Sequence, residues 1–66
     1  LSKRQRAVLD LMGEGLSSKL IAAELGISET SVSTHLSEIY RKLGVKERAG
    51  AVHLVRSMRA ALHGEG

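Results

Sequence analysis

The chain contains no cysteine, no proline, no phenylalanine and no tryptophan, and a single tyrosine among its 66 residues. Each absence removes a class of protein. Without cysteine there is neither a disulfide framework nor a thiolate zinc site, and a reducing, cytoplasmic setting is expected. Without a set of aromatic side chains there is no platform for stacking unpaired bases, as single-strand binders require. No apolar run approaches the roughly 18 residues that cross a bilayer, so no membrane association is expected. No signal-peptide pattern opens the chain and no glycine-rich phosphate loop is present. A chain of this length buries only about 60% of the surface its unfolded form exposes, which predicts one domain over residues 1–66 with a thin margin of stability. The first residue is Leu1 rather than methionine, and a piece of a longer protein is expected.

What is present is helical. Strand-like alternation with turn pairs is missing, and four helices can be bracketed at about residues 3–14, 18–25, 29–43 and 47–62, an all-α arrangement. Ser2 caps the first, with Gln5 three residues on completing a capping box. Val8, Leu9, Leu11 and Met12 give it an apolar side, and "GEG" closes it with Gly15 near the end. Ser17 caps the second helix and Gly26 follows it. Ser28 caps the third, where Glu29 favours the positive helix start, and Gly44 ends it. A frayed "HGEG" tail is expected after the fourth.

The middle pair of helices has a specific geometry. Ala22, Gly26 and Val32 are placed around a three-residue turn, "GIS", as a helix-turn-helix requires. The small Ala22 allows the two helices to cross closely, Gly26 takes a left-handed turn without a side-chain clash, and Val32 anchors the second helix.

Around the third helix, "ETSVSTHLSEIYRKL", Val32, Leu36, Ile39 and Leu43 fall in one narrow arc and form the expected core stripe. Thr30, Ser33, Thr34, Ser37 and Arg41 occupy the opposite side, with Glu29 and Glu38 flanking the hydroxyl row. Serine and threonine are mediocre helix formers, so a row of them asks for a use. Three uses compete: reading base edges in a major groove, plain solvation, and docking of a protein, for which the row lacks an anchor other than Tyr40 at its edge.

Ten Lys and Arg against seven Asp and Glu give a net charge of +3, which permits nucleic-acid binding without requiring it. The cations are off the hydroxyl row. Lys3, Arg4 and Arg6 crowd the start of helix one, Lys19 is in the first turn of helix two, Arg41 and Lys42 end helix three, and Lys46 follows it. Phosphates are contacted from the flanks of a helix-turn-helix, so this separation suits DNA as well as it suits a solvated surface.

The landmarks "LSKRQ", "GLSSKLIAAELGIS", "V..H...I..KLGV" and "KLGV..R..AV" together resemble the LuxR-type (GerE-like) helix-turn-helix domain of bacterial transcriptional regulators, over about residues 1–55. Region four of bacterial sigma factors shares "EGLS...IA..LGIS...V" and is the nearest alternative. The resemblance implies sequence-specific binding of double-stranded DNA, with Ser33, Thr34 and Ser37 on the bases. It implies Lys19, Ser28, Thr30, Ser31, Arg41 and Lys46 on the backbone, and a regulatory domain N-terminal to this one, as in a response regulator. Gln5 stands where the family commonly has glutamate. Leu20 replaces a usual glutamate, and Ala49-Gly50 a frequent polar pair.

In helix four, Ala51, Val55, Met58 and Leu62 form a stripe, which Leu54 and Ala61 widen beyond one core seam. The resemblance implies pairing of this helix with its counterpart in a homodimer, and Leu54, Met58 and Ala61 are the expected contacts. A wide core face and reuse of the module for protein docking are the alternatives. His35, His53 and His63 lack the spacing of a metal site, and no carboxylate orients His35 beside Ser33 and Ser37. Neither catalysis nor a cofactor is expected.

Overall fold

The structure is a computed structural model that describes the backbone of residues 1–62 and the side chains of residues 1–61. It contains α1 (Lys3–Gly13), α2 (Ser18–Leu25), α3 (Glu29–Leu43) and α4 (Arg48–Leu62), with no strand among the described residues. The all-α helix-turn-helix architecture is the expected one, and the end of the first helix and the start of the last each move by one residue. The "HGEG" tail, His63 and the side chain of Leu62 lie outside the described residues.

Serine begins each of the first three helices. Ser2 Oγ accepts from the Gln5 N–H at 3.1 Å, Ser17 Oγ from Leu20 N–H at 3.3 Å, and Ser28 Oγ from Ser31 N–H at 3.0 Å. Each bond satisfies one orphan donor at a helix start, a gain of about 1 kcal/mol. The Ser2 N–H in turn donates to Gln5 Oε1 at 3.3 Å, so the capping box is complete.

The core is drawn from all four helices: Val8, Leu9 and Met12 of α1, Ile21 and Ala22 of α2, Val32, Leu36 and Ile39 of α3, and Ala51 and Val55 of α4. Because α1 packs against each of the other three, it is the platform on which α3 is held. At the α2–α3 crossing Ala22 is buried and Val32 is fully enclosed. Between them Gly26 has φ 68°, the left-handed conformation the turn needs. The Ala22 carbonyl accepts from both the Gly26 and the Ile27 N–H, the latter at 3.0 Å. That pair closes α2 and aims the chain into α3.

Two expectations are corrected. Helix one does not run to residue 14: it stops at Gly13, with Glu14 as its cap, and Gly15 lies beyond at φ 94°. Gly13 is itself buried, and a Cβ placed on it would stand 2.8 Å from Val55 Cγ1. Its lack of a side chain lets α1 and α4 approach. Leu43 is half-buried rather than fully in the stripe. Met58, one of the expected helix-four contacts, stands outside the core at 47% exposure. One residue later Arg59 crosses to α1 and donates to the Asp10 carbonyl at 3.1 Å, so a polar contact closes that seam beyond Val55.

Candidate functional site

With Val32, Leu36 and Ile39 turned inward, the opposite side of α3 has to face out. Thr30, Ser33, Thr34, Ser37 and Arg41 are all exposed. The periodicity that hides one face presents the other. The N-terminal three turns of this outer face carry hydroxyls and no cation, and Arg41 with Lys42 falls in the last turn, where positive charge complements the helix dipole.

The hydroxyls differ in what they have left to offer. Ser28 accepts from the Ser31 N–H and donates to Ser31 Oγ at 3.1 Å, so its proton is committed to the cap. Ser31 keeps its own proton. Thr34 Oγ1 donates to the Thr30 carbonyl at 3.1 Å, one turn back. Thr30, Ser33 and Ser37 make no side-chain hydrogen bond among the described residues.

Glu38 does not flank the row freely, as the sequence alone would have it. Its carboxylate accepts from the Gln5 Nε2 amide of α1, and Lys42 Nζ donates to Gln5 Oε1 at 3.3 Å. Gln5 is 5% exposed, the one buried polar or charged residue among those described. A neutral amide thus bridges an acid and a base of α3 while also capping α1. The expected effect of Gln5→Glu follows. Glutamate still accepts from Ser2, so the capping box survives, but a second carboxylate then faces Glu38. A loss of about 1 kcal/mol is expected in urea unfolding, recovered by adding Glu38→Gln. Absence of that recovery would show the pair to be uncoupled.

The basic side chains fall into two groups. Arg4 donates to the Leu25 carbonyl at 3.2 Å, and Arg48 to the Leu16 carbonyl at 2.8 Å and Ser18 Oγ at 3.4 Å. Arg6 lies 4.0 Å from Asp10, and Arg59 4.0 Å from both Asp10 and Glu14. With Lys42, these are tied to the fold. Lys3, Lys19, Arg41, Lys46 and Arg56 are exposed and have no hydrogen-bond or ion-pair partner among the described residues. Lys19, Arg41 and Lys46, the three cations expected at phosphates, all belong to this second group. The sequence did not expose the division, because the ties of Arg4 and Arg48 reach carbonyls 21 and 32 residues away.

Of the expected helix-four contacts, Leu54 is half-buried while Met58 and Ala61 are exposed. Leu20 projects from the first turn of α2 at 56% exposure. Among the described residues no group of three or more His, Asp or Glu side chains could hold a metal ion, and no helix is long and apolar enough to cross a membrane. His35 Nδ1 is buried without a hydrogen-bond partner.

The chain is similar to known proteins. Residues 1–55 match the family described as bacterial regulatory proteins, luxR family. Over 52 residues, 79% of this chain, there is 48% identity to a probable transcriptional regulatory protein, NarL, of Mycobacterium tuberculosis, of which the match covers 24%. The spore germination protein GerE of Bacillus subtilis is likewise 48% identical over 52 residues, which cover 70% of it. A crystal structure of the response regulator ChrA of a heme-sensing two-component system superposes with a TM-score of 0.81 at 46% identity, covering 89% of this chain and 29% of that one. The chain therefore spans about a quarter of the NarL relative. With the family matched across all four landmarks and the fold matched at high identity, this chain belongs to the luxR family of bacterial regulatory proteins.

Proposed function

We propose that this chain binds double-stranded DNA with sequence preference and so regulates transcription, α3 entering the major groove. The observation that carries this reading is the outer face of α3: a continuous row of exposed short hydroxyls, rigidly backed by a buried stripe, with unpartnered cations to either side of it in the chain. A major groove about 12 Å wide admits one helix, and phosphate neutralisation is wanted at the flanks. Ser33, Thr34 and Ser37 are assigned to base edges. Lys19, Ser28, Thr30, Ser31, Arg41 and Lys46 are assigned to the backbone. Membership of a family of regulatory proteins supports the assignment.

The same reading has two chains bound together through α4. Met58 and Ala61 are exposed on it and Leu54 is half covered, an apolar strip that a second α4 would bury. An N-terminal regulatory domain outside these residues, in a cytoplasmic protein, completes the proposal. It is motivated by relatives several times longer than this chain. Use of the module to dock protein is the alternative, favoured by the absence of positive charge on the first turns of α3.

Selection of bound sites from random duplex DNA at low salt, followed by titration of the tightest site across salt, separates the two. An enriched repeat or palindrome is expected, with log affinity falling by about 0.9 per phosphate contact for each unit of log salt. Lys19→Ala and Lys46→Ala should each reduce that slope by about 1 and weaken every sequence alike. No enrichment and a flat salt dependence would favour docking. Sedimentation that remains at one chain per duplex would remove the α4 pairing and leave the groove assignment standing.

A further inference from the structure

Thr34 differs from its neighbours on the reading face. Its hydroxyl proton is already donated to the Thr30 carbonyl at 3.1 Å, whereas Thr30, Ser33 and Ser37 make no such bond. A β-branched side chain has few χ1 choices in a helix, and this back-bond fixes the one in which Oγ1 lies against the preceding turn. Thr34 therefore has no proton to offer the acceptor-rich O6 and N7 edge of guanine. What it retains is a methyl group of fixed placement on an exposed position of the helix. In the major groove the complementary base feature is the C5-methyl of thymine.

Resting on the groove assignment for α3, we propose that Thr34 is a specificity-determining residue that selects thymine through its methyl group, while Ser33 and Ser37 supply hydrogen bonds. The first turns of α3 have no Arg, Lys, Asn or Gln with which to grip guanine or adenine bidentately. Discrimination at the Thr34 position then comes from apolar contact, which is weaker than a bidentate pair and insensitive to salt.

The test uses the tightest duplex recovered by selection, in which thymines are replaced one at a time by uracil, removing only the C5-methyl. At one thymine, uracil should cost the wild-type chain about fourfold in affinity, the worth of one buried methyl group. Thr34→Val, which keeps the methyl and discards the hydroxyl, should show the same loss. Thr34→Ser, which does the reverse, should bind thymine and uracil equally. A uracil penalty at every thymine that is undiminished in Thr34→Ser, or no penalty anywhere, overturns this inference and leaves the groove assignment intact. Failure of the selection to enrich any site overturns both.

Discussion

Ile39→Ala is expected to cost about 2–5 kcal/mol, the range for deleting most of a fully buried aliphatic side chain. A domain of this size has only about 3–10 kcal/mol of stability in total, at the usual 0.05–0.15 kcal/mol per residue. One substitution would thus take much of the margin. Ile39 has no exposed surface and belongs to the cluster in which α3 meets Val8 and Met12 of α1. The lost methyl groups leave space that helices joined by three- to four-residue turns close only in part. Urea unfolding followed by helical circular dichroism measures the loss, with Leu20→Ala as the control. Leu20 is 56% exposed, so its truncation should fall within about 0.5 kcal/mol. A loss under about 1 kcal/mol at Ile39 would mean that α3 is not seated by this face, and the assignment of its outer face would go with it.

Gly13→Ala sets two effects against each other. Alanine in a helix is favoured over glycine by about 1 kcal/mol. Against that, the new Cβ would stand 2.8 Å from Val55 Cγ1 and 3.5 Å from Val55 Cβ. Valine in a helix is held to one dominant rotamer, and Val55 is buried in the core, so its methyl cannot turn aside. The helices have to separate, at a cost in the 1–3 kcal/mol range for an overpacked site. We expect packing to win, by up to about 2 kcal/mol. The same substitution in a Val55→Ala background should be neutral or stabilising, because the obstructing methyl is gone and propensity alone remains. That reversal of sign is the diagnostic result. If Gly13→Ala stabilises both backgrounds, α1 and α4 have room to spare and the close approach is unimportant.

How much could be read in advance depended on how far each signal reaches. The serine caps, the capping box and the turn at Gly26 were legible because their partners are within a few residues. So was the hydroxyl face of α3, since burying Val32, Leu36 and Ile39 dictates what points outward. Gly13 was missed for the opposite reason. In "GEG" it looks like part of a helix stop, and its function is a contact with Val55, 42 positions away, that leaves no local trace. Gln5 was recognised as a cap, yet its bridge to Glu38 and Lys42 depends on how α1 lies on α3. Periodicity put Met58 on the apolar stripe of helix four, but that the contact between Arg59 and Asp10 closes the α1–α4 seam and leaves Met58 exposed could be seen only in the fold.

The sequence by itself determined four helices, where they start, and which face of the third is turned to solvent. Those are consequences of hydrogen bonds and amphipathic repeats within a few turns, and of a motif specific enough to carry family membership. Only the tertiary structure decided which cations are free and how closely α1 meets α4. A salt bridge, a carbonyl contact or a 2.8 Å approach is a property of two segments at once, and its energy is set by the distance between them.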